Sequence, residues 1–274
     1  MSLLFQAMVM GIVQGLTEFL PISSSGHLII VPWLFGWTDA FLTSLPFSVV
    51  VHMGTLAALI VYFRADWVRL VPAGFATIRD RSFRDDPDRR LAWLLVAATI
   101  PAAIAGFLLS DVLERYFREV GLVALTLVGG AIILWLADRW GGLTKRVEDV
   151  TFPLAIGLGA AQALALIPGI SRSGISISAA RFAGLDRESA ARFSFLMATP
   201  ITAGAALFEI RKLASGETGL DVSVGPLIAG MLAAFVSGMV AIGFLLRYLR
   251  TRSLTIFVVY RLVLAAVVIV AWLR

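Results

Sequence analysis

Six runs of the chain are almost unbroken in apolar side chains, at about 45 to 63, 91 to 110, 119 to 137, 192 to 210, 222 to 246 and 254 to 273. Roughly 20 helical residues cross the hydrocarbon core of a bilayer, so each run predicts a spanning helix. Two further apolar stretches, 3 to 37 and 151 to 185, are interrupted by Leu20-Pro21-Ile22-Ser23-Ser24-Ser25-Gly26 and by Pro168-Gly169-Ile170-Ser171-Arg172-Ser173-Gly174. Neither half of either stretch spans comfortably. Irregular backbone at membrane depth survives only when buried in protein or lining a cavity. Each stretch therefore predicts a re-entrant helix-loop-helix hairpin that enters and leaves by the same face.

The pattern repeats. A shift of 148 positions lays Gly11 on Gly159, Gln14 on Gln162, Ser23 on Ser171, Ser25 on Ser173 and Gly26 on Gly174. Each half is one hairpin plus three spans, with repeat one at about 1–150 and repeat two at about 151–274. Three crossings is an odd number, so the second half starts on the opposite face. The expected fold is an all-α polytopic membrane protein, a single integral domain over 1–274 built from two inverted-topology repeats. Such repeats place a site near the midplane where broken helices meet.

Composition agrees. Of the 274 residues 59% are hydrophobic before the 24 glycines are counted, and only 15% are charged, whereas soluble domains are about 45–50% apolar with glycine included. The net charge of +5 does not point to nucleic acid, because the cations fall between hydrophobic runs. Sorted by the expected topology, sixteen Lys and Arg lie on one face, seven of them in the 64 to 90 segment, and five on the other. The richer face is expected to be cytoplasmic, with the 64 to 90 segment a solvated loop there, both termini outside and the first hairpin opening outward. The absence of cysteine excludes disulfides, thiolate catalysis and Cys-based metal centres. No nucleotide P-loop or HExxH occurs, and without a basic n-region or cleavage signal Leu3 onward is expected to be mature protein.

The polar residues inside this apolar frame carry the chemistry. Gln14 and Glu18 are four apart and share one helix face, and an intramembrane carboxylate marks a functional site by default. Pro21 ends the first helix, and Ser23, Ser24, Ser25 and Gly26 open the next, gathering hydroxyls and free N–H groups where helix N-termini bind anions. His27, one turn on, suits proton transfer. Arg172 sits at the second tip between Ser171 and Ser173, and a guanidinium there grips phosphate in paired bonds. His52 and Arg261 also lie within spans and Glu209 lies near one. For His52 a place facing the site and a packed histidine stay open; for Glu209 an interface position is expected, and for Arg261 a structural ion pair.

The segments from Gln14 to His27 and from Pro168 to Gly174 resemble the two signatures of the bacitracin-resistance type undecaprenyl-diphosphate phosphatases, and length, layout and repeat agree along the whole chain. The resemblance implies an inner-membrane hydrolase that takes the terminal phosphate from undecaprenyl diphosphate and returns the lipid carrier to cell-wall synthesis. It further implies a divalent cation, Mg²⁺ or Ca²⁺, held by Glu18 with Gln14, and it leaves a homodimer open. The catalytic candidates are then Glu18, Ser24, His27 and Arg172. The diphosphate-binding candidates are Gln14, Ser23, Ser25 and Gly26 on one tip, and Ser171, Ser173, Gly174 and Ser176 on the other. Gln14 takes the more variable acidic position, Ser25 and Ser176 stand where many relatives carry Thr, and His52 stands where many carry Gln. The residues leave two nucleophiles open, the Ser24 hydroxyl or a water activated by His27. The alternative reading from the inverted repeat is a transporter or flippase for an anionic lipid or small anion.

Overall fold

The computed structural model describes every residue except 84–85, 117–118, 143 and 215–223, and describes the backbone alone at 110–116 and 212–214. Arg84 and Arg118 of the loop counts, and positions 222–223 at the head of the fifth expected span, lie outside the described residues. The described secondary structure is helical: α1 Leu3–Phe19, α2 Ser24–Phe35, α3 Leu45–Tyr62, α4 Arg64–Asp80, α5 Pro87–Tyr116, α6 Val120–Trp140, α7 Phe152–Ala163, α8 Arg172–Phe182, α9 Arg187–Ala214, α10 Val224–Leu249 and α11 Thr255–Trp272, with short 3-10 turns between some of them. Among the described residues six helices are long and apolar enough to cross a membrane, within α3, α5, α6, α9, α10 and α11. They coincide with the six predicted runs. The starts of α5 and α9 reach further into polar sequence than apolar content alone predicts. Asp86 Oδ1 accepts the Asp88 and Arg89 N–H groups, and Asp186 Oδ1 accepts that of Ser189, so each acid caps free N–H groups at a helix start.

Both interrupted stretches form broken pairs, α1 with α2 and α7 with α8. At the two tips Ser23 and Ser171 adopt left-handed backbone, φ 76° and 78°, a conformation sparsely populated by residues other than glycine. Ser23 Oγ accepts the Gly26 N–H at 3.3 Å, and Ser171 Oγ accepts the Gly174 N–H at 3.1 Å. The tips thus share one local geometry at positions 148 apart in sequence.

Small residues let the hairpins pack at backbone distance. A Cβ built on Gly11 of α1 would lie 2.2 Å from the Gly230 carbonyl oxygen of α10, and one on Gly159 of α7 would lie 1.9 Å from that of Ala98 in α5. Close approach of this kind is how membrane helices associate without a hydrophobic driving force. Around them a core forms from Phe19, Leu59, Phe63, Phe195 and Leu245, among others, with Phe19 and Phe195 edge to face at 5.6 Å. Arg181 is fully buried. Counted among the loop cations of the Lys- and Arg-rich face, it instead donates to the carbonyls of Gly141, Gly142 and Leu185 and faces Asp138 at 3.9 Å.

The 64 to 90 segment is a second correction. Instead of a solvated loop, most of it is α4, whose exposed Val68, Val71, Phe75 and Ile78 recur at helical spacing, with Arg69 among them and Arg64 and Arg79 at either end. An apolar stripe with interspersed arginines is the pattern of a helix lying in a membrane interface.

Candidate active site

Glu18, near the end of α1, is buried, and its carboxylate organises the site. Oε2 accepts Gln14 Nε2 at 3.0 Å and Ser24 Oγ at 2.6 Å. An ionised carboxylate only accepts hydrogen bonds, so the Ser24 proton points at Glu18. The same reasoning orients Gln14: its NH₂ faces the carboxylate, leaving Oε1, which is buried and has no partner among the described residues. Ser24 as a residue is only partly covered, while its hydroxyl proton is held by Glu18. A hydroxyl within hydrogen-bond reach of a base, with that base oriented by a third group, is the arrangement of an activated nucleophile.

The second hairpin delivers the positive charge. Arg172, the first residue of α8, places Nη1 3.8 Å from Glu18 Oε1 and hydrogen-bonds the Thr202 hydroxyl of α9. At 3.8 Å the two charges attract without a direct hydrogen bond. Ser173 Oγ donates to the Leu20 carbonyl at 3.1 Å, joining the tips directly. Ser25 lies 3.3 Å from Ser23, and Ser171 lies 3.2 Å from Ser173, so the hydroxyls form two matching pairs. Gly26 and Gly174 supply the capped N–H groups described above. Ser176 stands apart: its hydroxyl is buried without a partner among the described residues.

The two histidines sit in different settings. His27 has both ring nitrogens occupied: Nδ1 lies 2.7 Å from the Ser23 carbonyl and Nε2 lies 2.7 Å from the Tyr260 hydroxyl. Facing a carbonyl, Nδ1 carries the hydrogen, and the neutral ring then accepts from Tyr260 through Nε2. The imidazole also stacks on the Tyr260 ring at 5.7 Å. These contacts hold the start of α2 and engage both ring nitrogens. His52 on α3, whose orientation the sequence left open, faces the site with Nε2 4.0 Å from Glu18 Oε2 and Nδ1 held by the Ser48 carbonyl at 2.8 Å.

Thr202 and Tyr260 were not legible as site residues. Both sit inside apolar spans with no motif around them, and each meets its partner only across the fold. Arg261 has no carboxylate partner among the described residues, contrary to the expected ion pair, and bonds backbone carbonyls instead.

The model of the family described as bacitracin resistance protein BacA matches residues 7–267. The chain belongs to the BacA family. It is 48% identical over 270 residues to the undecaprenyl-diphosphatase of Moorella thermoacetica, and 45% identical over 271 residues to that of Desulforudis audaxviator, each alignment covering 98% of both chains. The undecaprenyl-diphosphatase of Gemmatimonas aurantiaca is 46% identical over 264 residues, 96% of each chain. The BacA match runs through both tips, so the Glu18–Ser24 pair and Arg172 lie within the shared region. With six spanning helices, this BacA member is a multi-pass membrane protein.

Proposed function

We propose that this chain is an undecaprenyl-diphosphate phosphatase, which hydrolyses undecaprenyl diphosphate to undecaprenyl phosphate and inorganic phosphate, recycles the lipid carrier for peptidoglycan synthesis and thereby confers bacitracin resistance. The observation that carries this reading is the 2.6 Å bond from Ser24 to Glu18 beside an arginine from the other hairpin. Family membership and the names of the relatives support the same substrate.

In the mechanism that follows, Arg172 and the tip hydroxyls bind the diphosphate, and the polyprenyl tail lies among the spans. Ser24 Oγ attacks the terminal phosphorus as its proton passes to Glu18. The new Oγ–P bond forms while the bond from that phosphorus to the bridging oxygen breaks, releasing undecaprenyl phosphate. After Glu18 has given up its proton to solvent, water attacks the phosphoserine with one of its protons passing to Glu18, the Oγ–P bond breaks, Glu18 returns that proton to the leaving Ser24 Oγ, and inorganic phosphate departs. Arg172 stabilises charge on the transferred phosphoryl group throughout, the largest electrostatic demand of such a transfer.

A divalent cation fits the donor set. Gln14 Oε1 is a buried acceptor without a partner among the described residues, on the amide whose Nε2 bonds the Glu18 carboxylate, and oxygen donors of these kinds suit Mg²⁺ or Ca²⁺ with the rest of the coordination from substrate and water. Glu18 and Gln14 would hold it, where it would neutralise phosphate charge. Among the described residues no cluster of three His, Cys, Asp or Glu offers another site. In detergent, purified protein is expected to release phosphate from a long-chain polyprenyl diphosphate with Mg²⁺ or Ca²⁺ supplied, and to lose at least about 10²-fold in rate in excess chelator, the scale of a several-kcal/mol electrostatic contribution. Full activity in chelator would remove the metal from the proposal, and no phosphate release under any condition would remove the enzyme.

Family membership supports a cytoplasmic (inner) membrane location, and the charge asymmetry supports an orientation with α4 at the cytoplasmic face and the site open to the extracytoplasmic side. Arg79→Cys in this naturally Cys-free chain should stay unlabelled by an impermeant maleimide in intact cells and react after permeabilisation. Labelling in intact cells would reverse the orientation.

A further inference from the structure

Arg261 of α11 is completely buried, 0% exposed. Its guanidinium donates to four backbone carbonyls from three parts of the chain. Nη1 reaches Pro21 on the first tip at 3.3 Å and Ile170 on the second at 3.1 Å, while Nη2 reaches Gly169 at 2.7 Å and Nε reaches Leu127 of α6 at 3.1 Å. Broken helices leave carbonyls without intrahelical partners, and at membrane depth such groups must be satisfied by protein. One planar fork of five donors meets this demand at both tips at once; an ammonium with three donors at a single nitrogen cannot. The neighbouring Tyr260 holds His27 at the base of α2. The guanidinium also lies against the first turn of α8, where a Cβ on Gly174 would come within 3.2 Å of Nη1.

We propose that Arg261 is a positioning residue that sets the register between the two hairpin tips, and so the placement of Ser24 relative to Arg172, without itself touching the diphosphate. The consequence for catalysis rests on the phosphatase reading above; the register itself does not. Because Ser24 and Arg172 come from different hairpins, their separation depends on whatever ties the tips together. Ser173 to Leu20 is one such tie, and Arg261, bonded to carbonyls of both tips, is another.

The test uses the full chain in two ways. Spin labels at Phe35→Cys and Phe182→Cys, exposed positions at the far ends of α2 and α8, report the spread of distances between the hairpins without any need for turnover. Arg261→Lys is expected to broaden that distribution and to lower kcat by about 10²-fold, the cost of an ångström-scale misplacement, while KM for the polyprenyl diphosphate shifts less than about threefold because the binding groups remain. A second variant guards against misfolding. Gly130→Ala leaves Arg261 in the chain, yet its Cβ would lie 2.0 Å from Nη2 and 2.9 Å from the Ile170 carbonyl oxygen, so the fork is displaced within an intact α6. It should reproduce both effects at unchanged helical content. A narrow, unshifted distribution in both variants would overturn the proposal, as would wild-type kcat in a variant whose distribution has broadened. If the distribution responds while the parent protein releases no phosphate, the register stands and the phosphatase reading falls.

Discussion

Ser24→Ala is expected to stop phosphate release almost completely, by about 10³-fold or more, because loss of a nucleophile removes the covalent route altogether. Binding of the lipid diphosphate should persist, since the other tip hydroxyls and Arg172 are untouched. Glu18→Gln should lose about 10²- to 10⁴-fold, the usual contribution of a general base. The pair is informative because the 2.6 Å bond joins the two residues: the double variant should be scarcely worse than Ser24→Ala alone. Acid quench during turnover should trap phosphate on Ser24 in the parent enzyme. Substantial turnover by Ser24→Ala would shift the nucleophile to water, and phosphate trapped on His27 would contradict the geometry that occupies both of its nitrogens.

The second large effect is expected at Arg172. Arg172→Ala should lower kcat by about 10²- to 10³-fold, as when one preorganised donor is removed from a developing oxyanion. Arg172→Lys should remain impaired by at least about tenfold, because an ammonium cannot keep Thr202 engaged and still offer a planar pair of donors to phosphate. The measurement is kcat and KM on the same polyprenyl diphosphate, with a binding assay beside it. If Lys kept most of the activity, Arg172 would act through charge alone, and the paired-bond account would fail.

Some of this site could be seen along the chain and some could not. Glu18 and Arg172 stand out because a charge in an apolar segment is costly wherever it packs, and Ser23 to Gly26 stand out because Pro21 ends a helix just before them. The place of His27 just after the serine run marks it out from His52, but nothing local gives the partners of either. The first is held by Tyr260, 233 positions away, and the second is turned onto Glu18 by the packing of α3. The 64 to 90 segment misleads for a related reason: its arginines and aspartates hide the three-and-four spacing of Val68, Val71, Phe75 and Ile78.

By itself the sequence determined the six spans, the two interrupted hairpins, their internal repeat and the residues that any function had to account for. Those features depend on hydrophobic run length and on Pro, Ser and Gly chemistry, which act within a few turns of helix and do not wait for partners. Only the tertiary structure decided that Ser24 gives its proton to Glu18, that Arg172 crosses to it from the other hairpin, that His27 holds α2, and that Arg261 joins the tips. These are directional bonds between groups far apart in sequence. Which donor meets which acceptor was settled by how closely the glycine-lined helices could pack.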